Sequence, residues 1–471
     1  MPAAPPAITS VNPATGEVLA TFPASTEGQV EAALAAAQVA FLAWRRTSFA
    51  ERSARTRALA AVLRRNADRY ARLISAEMGK PIAESRAEIE KCASSCEFYA
   101  ENAERFLADE PAATNAARSF VAFEPLGLVL AVMPWNYPFW QVLRFLAPAL
   151  MAGNGAILKH ASNVPQCALA VEEAVREAGF PPGLFATLLL PGSTVERLIA
   201  DPRIRAVTLT GSSATGVRVA ELAGRALKKT VLELGGSDPF IVLADADLPA
   251  AAATAAKARN QNAGQSCIAA KRFLVAAPVA AEFERLFADA VRALKVGDPL
   301  DPSTQVGPLA REDLRVELDR QVKRSVEMGA RVVTGGKVRP GKGWFYEPTI
   351  LADATDGMPV LAEETFGPVA ALRRVQGAEE ALAVANASAY GLGGALWTRD
   401  TVAGEALARR IESGAVFVNG MTASDPRLPF GGVKRSGYGR ELAAFGIREF
   451  TNVQTIWIGP ASTPPEAVAA E

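Results

Sequence analysis

From about residue 128 the chain alternates short, continuously apolar runs with helical stretches, and this alternation constrains the fold more than any other feature. Leu128–Met133, 156–159, 186–190, 206–210 and 230–234 read as buried strands, with helices over stretches such as 165–178 and 215–226. Apolar runs joined by helix-sized connections build parallel βαβ units, with helices covering both faces of the sheet. Ligands on such sheets bind beyond the carboxyl ends of the strands. Trp135-Asn136, Lys159, Gly211-Ser212 and Glu233 all fall at those ends, so they are expected to share one crevice.

The chain before this region reads as mostly helical. Thr26-Glu27-Gly28-Gln29 has the form of a capping box, followed by Val30, Ala33, Leu34, Ala37, Phe41 and Trp44 at helical spacing. A second helix is predicted over 53–77, stopped by Met78-Gly79-Lys80-Pro81. From about Ser237 a second α/β region follows. A helix over 249–262 leads to Cys267, then a strand at 272–275, a helix at 280–294 and strands at 330–333, 369–374, 394–397 and 415–419. The expected tail, 461–471, is rich in proline and alanine and reads as poorly ordered.

A length of 471 residues suggests two or three domains. Lys plus Arg and Asp plus Glu number 50 each, which gives no reason to expect a nucleic-acid or membrane partner. Four cysteines make no disulfide framework. The start Met1-Pro2-Ala3-Ala4-Pro5-Pro6 lacks the pattern of a secretory signal, and no apolar run is long enough for a transmembrane helix. A cytoplasmic enzyme is the expectation.

A single histidine rules out metal sites built on several imidazoles, and any Ser-His-Asp or Cys-His machine would have to use His160. No metal is expected. Cys92 and Cys96 lie one helical turn apart without further ligands, and Cys167 sits in an apolar helical run, so all three read as packing. Cys267 differs, because Asn262-Ala263-Gly264-Gln265-Ser266-Cys267 is a poor core setting. Glu233, in Val231-Leu232-Glu233-Leu234-Gly235-Gly236, is a candidate base. The plainer readings are a buried small hydrophobe for Cys267 and a solvated or paired carboxylate for Glu233. No G-x-G-x-x-G fingerprint is present where a dinucleotide would want it. Thr210-Gly211-Ser212 at a helix start offers a weaker phosphate site.

Taken together, Met133-Pro134-Trp135-Asn136-Tyr137-Pro138, Leu158-Lys159-His160-Ala161-Ser162, Thr210-Gly211-Ser212, Glu233-Leu234-Gly235-Gly236 and Gly264-Gln265-Ser266-Cys267 occur in order. Glu363-Glu364-Thr365-Phe366-Gly367-Pro368 and Pro429-Phe430-Gly431-Gly432-Val433-Lys434 complete the set. In these motifs the chain resembles the aldehyde dehydrogenase superfamily along almost its whole length. The run from Trp135-Asn136 through Lys159 to Pro165 is similar to the bacterial branch acting on succinate semialdehyde.

The resemblance implies an α/β fold: a Rossmann-like parallel-sheet cofactor domain, an α/β catalytic domain and a small β bridging element. Their expected bounds are 1–110 with 128–236, 237–430, and 111–127 with 450–460. It implies that Cys267 attacks the aldehyde carbon, that Asn136 holds the oxyanion, and that Glu233 activates water to hydrolyse the thioester. Lys159 would bind the adenosine ribose and Ser212 the pyrophosphate, and Trp135, Ser162 and Gly211 would belong to the same cofactor site. Glu364 would bind the nicotinamide ribose, and Phe366 would pack beside the nicotinamide. Lys159 also reads as a solvated charge, and Phe366 as core. Ser162 stands where many members carry a glutamate that repels a 2′-phosphate, so NADP is expected over NAD. His160 would only flank the groove.

Arg144 and Ser424 are the implied contacts for a distal carboxylate, which suits a guanidinium's planar fork of donors. Arg144 reads alternatively as the partner of an acid on its own helix. Two positions depart from relatives: Gln261 where some have an arginine, and Ala269 where some carry a second cysteine as a redox switch. The bridging element implies a homodimer or homotetramer. The expected activity is NAD(P)-dependent oxidation of a small aldehyde, foremost succinate semialdehyde. Glutarate semialdehyde or a general aldehyde stays open, as do a cofactor-free thiol esterase and a non-catalytic relative.

Overall fold

The computed structural model describes residues 7–459, so the expected tail lies outside the described residues. The apolar runs become strands for the reason the pattern implied. Leu128–Met133 and Gly155–His160 are buried at every position, as strands covered on both faces must be. With Ile204–Thr210, Lys229–Glu233 and Phe185–Thr187 they form a parallel sheet. The first of these strands in the chain, Leu128–Met133, lies between Gly155–His160 and Ile204–Thr210. The winding direction reverses there, which opens a crevice at the carboxyl ends of those neighbours.

A sixth strand, Gly437–Tyr438, adds antiparallel to Lys229–Glu233, with Gly437 opposite Glu233. This return of the C-terminal segment to the first sheet was not anticipated. A second sheet has seven strands, in the order Arg331–Thr334, Thr349–Ala352, Val369–Val375, Ala270–Ala276, Asp238–Val242, Gly393–Trp397, Ala415–Val418. All its pairings are parallel except that of Arg331–Thr334 with Thr349–Ala352. Thr451–Ile458 pairs antiparallel with Arg118–Pro125, which also pairs with Glu110–Pro111.

The N-terminal part opens with an antiparallel pair, Ala7–Val11 with Val18–Pro23, ahead of the helices. The capping box forms: the Gln29 N–H donates to Thr26 Oγ1 at 3.3 Å, and the Thr26 N–H donates to Gln29 Oε1 at 2.8 Å. The helix expected over 53–77 is two, Phe49–Arg65 and Ala67–Met78. Asn66 parts them, its side chain donating to the Val62 carbonyl at 3.1 Å, an instance of an amide competing with helix propagation. Gly79, at φ 82°, ends the second in the left-handed conformation that glycine permits. A long helix, Ile82–Phe106, then packs against Phe49–Arg65 and against Trp140–Met151, the helix that follows Asn136.

Candidate active site

Cys267 is reached through a strained turn. After the helix Leu248–Asn260, Asn262 and Ala263 take φ of 55° and 52°, a region that costs a residue with a Cβ about 1–2 kcal/mol. Side chains from around the turn hold it there. Glu84 accepts the Asn262 N–H at 2.8 Å, and Asn262 Nδ2 donates to the carbonyls of Asn136 and Gln265 at 2.9 and 3.0 Å. Gln265 Oε1 accepts the Ala310 N–H at 2.8 Å, and Lys271 Nζ donates to the Ser266 and Cys267 carbonyls at 3.0 and 2.8 Å. Gly264 has no room for a side chain, since a Cβ there would lie 2.3 Å from the Gly367 carbonyl oxygen.

Cys267 is half-buried at a cavity of about 170 Å³ whose lining includes Tyr137, Gln141, Arg144, Ser424 and Phe430. Burial pushes its thiol up to about 12, only partly opposed by the positive charges of Arg144 and Lys271. Asn136 is fixed by donating from Nδ2 to the Gln265 carbonyl at 3.1 Å, and that leaves its second amide hydrogen free.

Glu233 is buried, and neither carboxylate oxygen has a hydrogen-bond partner. Burial, reinforced by Glu441, raises its pKa well above the usual carboxylate range, while Arg144 and Arg440 pull the other way. The carboxyl faces Gly431, where a Cβ would stand 2.7 Å from Oε1, and Glu233 is not among the residues lining the thiol's cavity.

The lone imidazole is committed elsewhere. His160 Nδ1 accepts the Ala161 N–H at 2.8 Å, which leaves Nε2 to donate to the Pro138 carbonyl at 2.9 Å. Its pKa is pushed down by burial to about 4, so it stays neutral. Cys92, Cys96 and Cys167 are buried free thiols whose pKa values burial raises. Among the described residues, no group of three His, Cys, Asp or Glu side chains could hold a metal ion, and no helix is long and apolar enough to cross a membrane.

Side chains and backbone donors at the strand ends suit an anionic dinucleotide. Lys159 is buried without a hydrogen-bond acceptor or carboxylate among the described residues, and burial lowers its pKa. Ser162 lies exposed nearby in sequence, just past the same strand. Ser212 caps the helix Ser213–Arg225, its Oγ accepting the Thr215 N–H at 3.3 Å, and Gly211 precedes it. Backbone N–H groups and the helix dipole at that end favour a phosphate. Glu364 accepts the Gly236 N–H at 3.0 Å and lies 3.7 Å from Lys271 Nζ. Phe366 meets Trp135 edge-on at 5.7 Å.

The comparisons with known proteins agree with this geometry. The aldehyde dehydrogenase family model matches residues 2–456. This chain belongs to that family. It is 52% identical over 460 residues to the succinate-semialdehyde dehydrogenase [NADP(+)] of Mycobacterium avium, covering 97% of this chain and 98% of that protein. It is also 52% identical over 452 residues to the probable succinate-semialdehyde dehydrogenase [NADP(+)] of Synechocystis, covering 96% of this chain and all of that protein. The crystal structure of succinic semialdehyde dehydrogenase from Streptococcus pyogenes in complex with NADP+ superposes with a TM-score of 0.94 at 39% identity. It covers 96% of this chain and all of that one. The α/β, Rossmann-like architecture is thus that of the aldehyde dehydrogenases.

Arg144 brings the main surprise. It lines the cavity, but its Nε is ion-paired with Glu441, and its guanidinium stacks over Phe430 at 4.6 Å. The acid comes from the returning C-terminal segment and not, as the alternative reading had it, from the same helix. Ser424 accepts a hydrogen bond from Lys91 Nζ at 2.7 Å. Lys91, Glu84 and Glu88, all on the helix Ile82–Phe106, were missed as site residues. Their i, i+4, i+7 spacing was a visible signal, but charged residues at that spacing ordinarily mark a wet face.

Proposed function

We propose that this chain oxidises succinate semialdehyde to succinate with NADP as the hydride acceptor. The observation that carries this reading is one cavity lined by the Cys267 thiol, the Arg144 guanidinium and the Ser424 hydroxyl together. Relatives named for this reaction and cofactor support it. A neutral Ser162 just past the strand that carries Lys159 favours a cofactor bearing a 2′-phosphate, since among the described residues no carboxylate hydrogen-bonds or ion-pairs with Lys159.

In this reading the Cys267 sulfur bonds to the aldehyde carbon as thiolate, and the carbonyl oxygen becomes an oxyanion. The free Asn136 amide hydrogen and the Cys267 N–H stabilise that charge. NADP, when bound, supplies the acceptor for the hydride that leaves the former aldehyde carbon. Lys159, Ser162, Gly211 and Ser212 hold its adenosine and phosphate part, while Trp135, Glu364 and Phe366 position its nicotinamide end. Glu233 then takes a proton from the water that attacks the thioester carbonyl. The C–S bond breaks and the Cys267 thiolate returns.

Residues 1–110 with 128–236 act as the cofactor-binding domain and 237–430 as the catalytic domain. The bridging strands, 111–127 with 450–460, carry assembly into a homodimer or homotetramer in the cytoplasm. Val453, Trp457 and Ile458 on the outer strand are exposed, as that role requires. The test is absorbance at 340 nm with succinate semialdehyde, glutarate semialdehyde and butyraldehyde, each with NADP and NAD. Succinate semialdehyde with NADP is expected to give the highest kcat/KM, and Cys267→Ala to abolish it. Another aldehyde winning, or ester hydrolysis without any reduced cofactor, would replace this reading.

A further inference from the structure

The strand Ala270–Ala276, which follows Cys267, carries two cations near its start, Lys271 and Arg272, and its pleat sends them to opposite faces. Arg272 donates to the carbonyls of Ser237, Val384 and Ala385 at 2.8, 2.9 and 3.1 Å, which ties neighbouring elements together. Lys271 turns back to the nucleophile. Its ammonium is fully buried and donates to the carbonyls of Ser266, Cys267 and Ala269 at 3.0, 2.8 and 3.4 Å. Among the described residues its one carboxylate partner is Glu364, at 3.7 Å. Burial lowers the pKa of this ammonium.

The Ser266 carbonyl and the Cys267 N–H are the two ends of one peptide group. A trans peptide holds them on opposite sides, so a carbonyl anchored on Lys271 turns the N–H away from the ammonium. A cation on the carbonyl oxygen also polarises the amide and makes its N–H a stronger donor. The next peptide is held as firmly. The Cys267 carbonyl accepts the 2.8 Å bond and backs onto Gly236, where a Cβ would stand 2.5 Å from its oxygen. Gly236 donates its own N–H to Glu364 at 3.0 Å, which closes a circuit from the ammonium through the nucleophile to the carboxylate. Lys271 is not among the residues lining the cavity, so it acts on Cys267 from behind. With Arg144, its charge opposes the upward push that burial gives the thiol.

We propose that Lys271 is a positioning residue that, through the Ser266 carbonyl, aims and strengthens the Cys267 N–H meeting the oxyanion. A neutral amide would anchor two carbonyls as well. The ammonium adds positive potential, which the thiolate and the tetrahedral oxyanion both need and which the uncharged aldehyde group does not. The assignment rests on the reading that Cys267 is the nucleophile and its N–H an oxyanion donor. Lys271 acts at the reacting carbon, so its effect is the same for every aldehyde, with or without a distal charge.

The experiment measures turnover of succinate semialdehyde and butyraldehyde at saturating NADP in the wild type, Cys267→Ala, Lys271→Met and Lys271→Gln. In Lys271→Met, kcat and kcat/KM are expected to fall together by at least ~10-fold with both aldehydes, because the lost interaction is strongest in the transition state. Alkylation of Cys267 by iodoacetamide at pH 8 is expected to slow at least ~3-fold as the thiolate fraction drops. Lys271→Gln keeps two donors for the carbonyls without the charge, so it is expected to share both losses. It is read alone if the methionine variant fails to fold. Unchanged kcat in these variants, a lower kcat with unchanged alkylation, or a glutamine variant as active as the wild type overturns the role of Lys271 alone. Turnover that survives Cys267→Ala overturns the reading of the nucleophile, and the assignment of Lys271 with it.

Discussion

At the scale of single residues, burial shifts both the thiol and the carboxyl of the site upward. Burial raises Cys267 to about 12, whereas a free thiol titrates near ~8.5. The thiolate is the nucleophile, so its fraction grows tenfold per pH unit until the raised pKa is reached. Alkylation of Cys267 by iodoacetamide in the cofactor-free enzyme is therefore expected to climb steadily from pH 7 to 10. A plateau near pH 8.5 would show that burial does not control the thiol. Glu233, raised in the same sense, loses its basic form as pH falls through a value well above an ordinary carboxylate's. Ser162 belongs to this scale as well. Ser162→Glu puts a carboxylate near the buried Lys159, so the ratio of kcat/KM with NADP to that with NAD is expected to fall by at least ~10-fold. An unchanged ratio would place cofactor choice elsewhere.

At the scale of elements, the sequence was most legible where one physical cause dominated. Strands buried on both faces leave an uninterrupted apolar run, as in Leu128–Met133, and Thr26 with Gln29 can make its reciprocal cap from local residues alone. Cys267, Asn136 and Glu233 stood out because their neighbours were wrong for a core or lay at strand ends. Long-range pairings were not legible. Glu441 reaches Arg144 only because Gly437–Tyr438 returns to the first sheet, and no local pattern announces that crossing. The break at Asn66 depends on one side chain out-competing the helix. The charged face of the helix Ile82–Phe106 is hard to read in the sequence for a related reason. It is buried against the loops that carry Asn136 and Cys267, with Glu88 and Lys80 satisfying each other inside. Removing one partner of such a pair leaves a buried charge uncompensated. Glu88→Ala is expected to cost ~3–5 kcal/mol in denaturant unfolding. A loss below ~1 kcal/mol would mean that this face is wetter than its burial implies.

At the scale of the whole molecule, the chemistry depends on two sheets meeting. Asn136 and Glu233 come from the ends of strands in the six-stranded sheet, and Cys267 from the turn that enters the seven-stranded one. Gln265 ties the nucleophile turn to Asn136, its backbone carbonyl accepting from Asn136 Nδ2, while its side-chain Oε1 accepts the Ala310 N–H. The division of labour between the halves can be seen by stopping the reaction midway. Glu233→Gln keeps the shape of the base but cannot take the proton from water, so the thioester should outlive the hydride transfer that forms it. Incubated with succinate semialdehyde and NADP, this variant is expected to carry one succinyl group on the Cys267 peptide by mass spectrometry, and none when NADP is left out. Undiminished turnover, or a succinyl group found on any other residue, would contradict the account.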